Sequence, residues 1–591
     1  MAQRNKYDID ERLETPFNFK HLKRSFVYIK PHTGRMLLAL SLSCCASILS
    51  LTVPQMVEHV MDVTVPAKNY PELFMYAGLA CAAIISSIML VKTRAYIMSS
   101  VGQSIIFSIR ADLFAHLQKL QFSYFDDRPH GKILVRVVQY VNSVSNMLSN
   151  GLIDFILEIF NLIFIIIFML FTSLRLSLVV LAGLPVLFTI LFIIKPAQRR
   201  AYQQVSNKNS NLNAYVAESI NGMRITQIFA REKINADIMT RLAKNSRFAW
   251  IKASMISNLI WVSVDNISQI ITAALYVVGV LITYPAVSFG TLIAMSNYSW
   301  RFWMPINRIA QIYNDFMNTI AYLERIFETI DETVLIDDAP DSYDLPEIRG
   351  RVTFENVTFG YDAENTVLND LSFDIPAGMS VALVGPTGAG KTTIVNLLSR
   401  FYDVTGGRIL IDGADISKVR LASLRGQMGI MLQDSFIFSG TVSSNIKYGK
   451  LNAESDELKA SAAVVHADEF IERMEAGYET EIRERGSRLS QGQKQLLSFA
   501  RTIISDPKIL ILDEATSSID TKTEAFVQEG INYLLKGRTS FIIAHRLSTI
   551  RHCDRIMYIK DHGVSEYGTH EELMEKRGDY YELYTSQLMD L

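Results

Sequence analysis

The stretch Gly385-Pro386-Thr387-Gly388-Ala389-Gly390-Lys391-Thr392 decides the fold of half this chain. An apolar run, Val381-Ala382-Leu383-Val384, precedes it, and Thr393–Leu398 continues it with a helical pattern. A strand, then G-x-x-x-x-G-K-T, then a helix is the setting of a phosphate-binding loop, where a chance Gly-rich turn would lack both flanking elements. The glycines let successive backbone N–H groups turn inward around the β- and γ-phosphates. The helix start adds the positive end of its dipole, Lys391 a point charge, and Thr392 a hydroxyl ligand for Mg²⁺, with Thr393 next to it. The implied ligand is a nucleoside triphosphate with Mg²⁺.

Two further stretches fit such a site. Val352–Tyr361 alternates like a strand and delivers Tyr361, an aromatic placed to stack on a purine ring. Ile509-Leu510-Ile511-Leu512 reads as a buried strand ending in Asp513 and Glu514. Asp513 is then placed in the Mg²⁺ shell and Glu514 beside the attacking water. Simple capping of the next helix is the competing explanation for that carboxylate pair, and the upstream phosphate loop weighs against it.

Around this soluble portion, which begins near Asp331, composition changes sharply. The 591 residues exceed one core, and the net charge of −2 argues against a nucleic-acid partner. Six apolar segments are expected to span a bilayer: Met36–Val53, Leu73–Val91, Leu152–Phe171, Leu176–Ile194, Met255–Val277 and Val280–Met304, with Thr283-Tyr284-Pro285 as the turn between the last two. An amphipathic stretch, Phe17–Ile29, precedes them and suits the membrane surface. Met1 to Arg24 is polar and charged, without a cleavable signal peptide. Cys44, Cys45, Cys81 and Cys553 show neither metal-ligand spacing nor a secreted disulfide pattern.

The short turns between spans are poor in cations, whereas the two long connections hold Lys92, Arg94, Arg110, Arg128, Arg199, Arg200 and Arg231 among others. Those connections, and both termini, are therefore expected in the cytoplasm. Each keeps helical periodicity past the membrane. The first turns at Gln121–Lys132 and the second is expected to turn near Asn211–Ile220, with tips suited to docking on another domain. Asp154, Glu158, Asp265 and Arg301 lie within spans, where charge is expensive. They line a polar cavity for cationic or zwitterionic compounds, or the carboxylates pair between helices, for example with Arg301, or the groups lie near the membrane interface.

Leu489-Ser490-Gln491-Gly492-Gln493, between the two nucleotide motifs, completes a set that resembles the ATP-binding cassette (ABC) transporters, specifically half-transporters with six spans and one cassette. The resemblance covers nearly the whole chain. It implies that Tyr361 is the adenine-stacking aromatic, Gln433 the glutamine that senses Mg²⁺, and Leu489–Gln493 the signature. Ser518-Ile519-Asp520 resembles the D-loop, His545 the switch histidine, and Glu484-Arg485-Gly486 a motif of exporters. In the family, Ser490 and the N–H groups near Gly492 contact the γ-phosphate held by the opposite cassette, so a second half-transporter is required. Gln491 departs from the commonest pattern, which has Gly. With Glu514 kept, this favours a heterodimer with unequal ATP sites, a homodimer being the alternative.

The expected fold class is an α-helical membrane domain of six transmembrane helices, exporter type, plus an α/β P-loop nucleotide-binding domain. The expected domains are 1–330, a linker at 331–350, and 351–591. The implied function is ATP-driven export of hydrophobic or amphipathic drugs or lipids across a bacterial inner or plasma membrane, with ATP and Mg²⁺ as cofactors. An ATP-gated channel, a regulatory sensor and a peptide exporter share parts of this architecture.

Overall fold

The computed structural model describes residues 19–126, 128, 130–282, 287–362, 365–431, 435–483, 486–513, 521–543 and 550–589. It divides into two compact units: Met1–Gln118 with His130–Glu332, and Lys119–Pro129 with Thr333–Leu591.

The first unit is helical. Among the described residues, five helical stretches are long and apolar enough to cross a bilayer: His21–Thr64, Tyr70–Leu117, Ile133–Thr172, Leu174–Asn221 and Glu232–Leu281. A sixth long helix, Phe289–Ile330, is more polar along its first turns, where Ser296, Asn297, Ser299 and Arg301 fall. The six expected spans thus map onto five strongly apolar stretches and this helix; the predicted turn at Thr283–Pro285 lies outside the described residues. The Tyr70–Leu117 helix has 48 residues, a length of about 72 Å at 1.5 Å per residue, far beyond a bilayer's hydrocarbon core. Asn69 caps its start by accepting from the Glu72 N–H, and Pro71 sits in the first turn, where its missing N–H costs nothing.

The core of this unit is built where helices cross. Leu176, Val180, Leu187, Leu275, Met295, Tyr298 and Phe302 are fully buried, and the Tyr298 hydroxyl donates to the Leu51 carbonyl at 2.8 Å. At one end, Asp62 accepts from the Ser288 hydroxyl and from the Gly290 N–H (2.7 Å), while Thr291 donates to Glu58 (2.7 Å). A Cβ on Gly290 would fall 2.6 Å from the Glu58 carbonyl oxygen, so this clasp requires glycine. The first short helix, Phe19–Ile29, is tied down by Arg24, which pairs with Asp331 and lies 4.4 Å over the Phe327 ring; Phe17 lies outside the described residues.

The second long connection corrects the expected turn. Helix continues through the predicted turn region to Asn221 and breaks only at Gly222, and Met223–Ile228 forms a separate helical turn before Ala230 adopts φ +46°. Residues 211–220 keep the helix because no Gly or Pro interrupts them; Gly222 supplies the first weak point.

The second unit carries three sheets. The largest has six strands in the order β12-β11-β3-β10-β9-β6, namely Gly563–Gly568, Arg555–Lys560, Ser380–Val384, Thr539–Ile543, Ile509–Asp513 and Met428–Met431. All neighbours are parallel except β12 with β11. β3 and β10 are buried at every position, and each runs apolar after its first polar residues, Ser380 and Thr539-Ser540. A second, antiparallel sheet contains β2 (Thr366–Ile375), β1 (Val352–Gly360), β4 (Gly406–Ile411) and β5 (Ala414–Asp415). β7 (Gly440–Thr441) pairs with β8 (Glu481–Ile482). The segment after Thr333 packs on this unit: Ile336, Leu345 and Ile348 are buried, and the Gln427 side chain receives the Ile348 N–H.

Candidate nucleotide site and its aromatic wall

β3 ends at Val384, and the chain then turns through three glycines with positive φ. Gly385 has φ +140°, and a Cβ there would lie 2.2 Å from the Ile559 carbonyl oxygen on β11. Gly388 and Gly390 have φ +84° and +102°, and a Cβ on Gly390 would press Leu368 at 2.8 Å. Pro386, Thr387 and Gly388 are exposed, Ala389 is half-buried, and the helix Lys391–Leu398 begins directly behind them. This is a backbone cradle open on one side, whose N–H groups and helix start favour an anion.

Lys391 is buried and its ammonium donates to the Gly385 and Pro386 carbonyls at 2.7 and 2.9 Å. Burial pushes it below the ordinary lysine range, while the Asp513 carboxylate pulls the other way. Asp513, at the end of β9, thus lies near enough for its charge to act on Lys391. The Thr392 side chain is exposed in the first turn, whereas Thr393 is buried. That donor set fits ATP with Mg²⁺: amides and an ammonium for phosphate oxygens, and a hydroxyl plus a carboxylate for a hard cation.

Tyr361 stands beside the cradle. Its hydroxyl lies 3.1 Å from the Thr393 hydroxyl, and its ring is half exposed at 51%. Thr393, expected among the nucleotide contacts, is thus engaged with Tyr361. Tyr361 meets Phe359 and Tyr402 edge-on, each with centroids 5.1 Å apart. Tyr402 in turn donates to Asp126 at 3.4 Å, and its neighbour Phe401 packs on Phe122 at 5.5 Å. The 119–129 segment, which links two long helices in sequence, is built into the cassette by these contacts. Sequence reasoning overlooked Phe401 and Tyr402; an aromatic pair immediately after the phosphate-loop helix was the available signal.

The signature stretch starts the helix Gln491–Ile504. Ser490 is its N-cap: the hydroxyl accepts from the Gln493 N–H at 3.2 Å, and the Gln493 side chain accepts from the Ser490 N–H at 2.9 Å. Ser490 and Gln491 are exposed, while Gly492 is buried inside the first turn. Gln491 lies outside the capping box, so its side chain does not disturb the helix start. Gln433, Glu514, His545, the Ser518–Asp520 stretch and Glu484-Arg485 lie outside the described residues. Among the described residues no group of three or more His, Cys, Asp or Glu is arranged to hold a metal ion.

A phosphate cradle, a strand-end carboxylate and an aromatic wall, in one chain with long apolar helices, define an ATP-binding membrane protein. The membrane portion matches the ABC transporter transmembrane region over residues 36–306, and the cassette matches the ABC transporter family over 368–517. The chain is 39% identical over 595 residues to the uncharacterized ABC transporter ATP-binding protein YknV of Bacillus subtilis, covering 99% of this chain and 98% of that one. It is 34% identical over 508 residues to the fatty acid ABC transporter ATP-binding/permease protein of Mycobacterium bovis, covering 86% and 80%. A bacterial Atm1-family ABC exporter, solved with ATP bound, shares its fold with a TM-score of 0.77 and 29% identity, over 96% of this chain and 98% of that one. The chain belongs to the ABC transporters, and within them to the exporters that fuse membrane region and nucleotide-binding domain.

Proposed function

We propose that this chain is one half of a dimeric, ATP-hydrolysing exporter that moves hydrophobic or amphipathic compounds, such as drugs or lipids, out of the cytoplasm or between leaflets. The observation that carries the reading is the docking of the 119–129 segment beside the Tyr361 wall. A change at the nucleotide site would reach, through Tyr402 and Phe401, a segment whose two ends run into long helices. The fatty acid transporter among its relatives supports an amphipathic cargo.

In this reading Tyr361 stacks on adenine, the 385–390 amides and Lys391 bind the β- and γ-phosphates, and Thr392 and Asp513, with Gln433, hold Mg²⁺. The ion, when bound, neutralises charge that develops on the phosphates. Glu514 orients and deprotonates the attacking water, and His545 donates to the γ-phosphate. Ser490 and the N–H groups of its helix start serve the nucleotide of the opposite cassette. Export also accounts for the cations of the long connections, which put those connections and both termini in the cytoplasm.

Two features support a second half. The Gly222–Arg231 tip exposes Ile225, Ile228 and Phe229 at 63, 71 and 69%, an apolar knob that suits burial on a partner. Gln491, exposed at the signature, favours a heterodimer in which the two ATP sites differ. Native mass spectrometry of the complex purified from its own host checks this: a single species of twice the chain's mass with full ATPase activity would replace the heterodimer with a homodimer.

The catalytic assignment is tested with Glu514→Gln. The variant should bind ATP normally, lose nearly all hydrolysis, and abolish ATP-dependent uptake into inside-out vesicles. Retained turnover would remove Glu514 from its role, and uptake only down a gradient would replace the pump with a channel.

A further inference from the structure

Within the helical unit lies a cavity of about 780 Å³ whose wall carries three guanidiniums and three carboxylates. They do not pair one to one. Asp154 takes two of the arginines, Arg94 by a direct hydrogen bond and Arg308 at 3.8 Å. Arg301, the partner first expected for these carboxylates, instead donates to the Ser50 carbonyl and hydroxyl at 3.1 and 2.9 Å. It has no carboxylate within ion-pair distance among the described residues. Among the described residues, Glu158 accepts from Asn161 at 3.3 Å and meets the charges of Arg94 and Arg308 only beyond ion-pair distance, and Asp265 accepts from Gln269 at 2.8 Å.

Among the described residues, the cavity therefore offers Arg301 with no carboxylate, and Glu158 and Asp265 with no cation, within ion-pair distance. The rest of its lining includes Leu157, Ile165, Val264, Trp300, Trp303 and Met304.

From this arrangement we infer that the cavity binds a zwitterionic amphiphile. Its anionic group is held by Arg301, its cationic group by Glu158 and Asp265, and its apolar part by the remaining wall. The inference rests on the export reading for its purpose, but not for its chemistry. A purely anionic guest leaves Glu158 and Asp265 uncompensated beside a new negative charge, and a purely cationic guest does the same to Arg301. An uncharged one leaves all three without an opposite charge in close contact, which is costly in a low-dielectric wall. Only a molecule with both charges satisfies the set.

Native mass spectrometry of the full-length protein in nonionic detergent provides the test. The protein is titrated with phosphatidylethanolamine, phosphatidylglycerol and a cationic trimethylammonium lipid of matched chains. Phosphatidylethanolamine should bind about tenfold tighter than either, the scale of one charge-assisted hydrogen bond. Arg301→Gln should erase its advantage over the cationic lipid, and Arg301→Lys should keep it. Asp265→Asn and Glu158→Gln should erase its advantage over phosphatidylglycerol. Equal affinities for the three headgroups, or selectivity that these substitutions leave unchanged, would overturn the proposal. Equal competition by tail-less glycerophosphoethanolamine would overturn the requirement for an apolar part. In ATP-loaded proteoliposomes the two readings separate. Selective binding without ATP-dependent movement sinks export and leaves the site; movement indifferent to headgroup sinks the site and leaves export.

Discussion

At the scale of single residues, the cassette depends on places where the backbone does what only glycine can. Gly385 combines φ +140° with a neighbour's carbonyl oxygen 2.2 Å from where a Cβ would sit. Gly385→Ala should therefore cost about 3 kcal/mol and abolish ATP binding, since both strain and overlap act at once. Gly378, with φ +80° and nothing within 4 Å of its would-be Cβ, is the matched control. Gly378→Ala should cost about 1 kcal/mol and leave ATP binding unchanged. Denaturant unfolding of the cassette signal, with and without nucleotide, checks the pair. The two glycines look alike in the sequence, one beside a recognised motif and one not. The difference in their fates comes from β11, which the chain reaches only much later and which no local pattern announces.

At the scale of elements, the aromatic wall is the part with the clearest consequences. Tyr402 touches Tyr361 through its ring and Asp126 through its hydroxyl. Tyr402→Ala removes both contacts and should raise the KM for ATP about fivefold, within the range that a pair of aromatic contacts is worth. Tyr402→Phe keeps the ring and should leave KM near the wild-type value, because a 3.4 Å bond to an exposed carboxylate contributes little. Steady-state ATPase curves distinguish the two, and a phenylalanine variant as impaired as the alanine one would shift the weight to the hydroxyl. The phosphate-loop strand, its helix and the strand before Asp513 were legible because burial on both faces and motif spacing reinforce each other there. Phe401 and Tyr402 were not, since an aromatic pair after a helix is common and its meaning depends on what packs against it. The same limit explains Asp154. Spacing put it on one helix face with Glu158, but its partners Arg94 and Arg308 come from other helices.

At the scale of the whole molecule, the apolar tip at Gly222–Arg231 separates folding from assembly. Ile228 and Phe229 are about 70% exposed, so the double change Ile228→Ser, Phe229→Ser should leave the fold of the single chain within about 0.5 kcal/mol of wild type. The same change should weaken the proposed dimer and lower ATPase activity at dilute protein concentration. Thermal melting at constant dilution, together with the mass distribution by native spectrometry, measures the two effects separately. A melting temperature that falls with dimerisation unchanged would make the tip part of the chain's own core instead. The position of this tip illustrates how far periodicity carries. Helical character past the membrane is visible in the pattern, but the turn is set by Gly222, which interrupts it eleven residues beyond Asn211.

The 119–129 segment has a consequence for how the chain is made. It leaves the ribosome early, between two helices, yet Phe401 and Tyr402, the surfaces that cover it, are synthesised only after the entire helical unit. Until then Phe122 and its neighbours must wait without their partners. Domains usually finish in the order in which they emerge; here the helical unit cannot retire its last loose end before the cassette has folded. Quality control of this protein is therefore a matter of timing, and a slow-folding cassette would condemn a membrane portion that is otherwise sound.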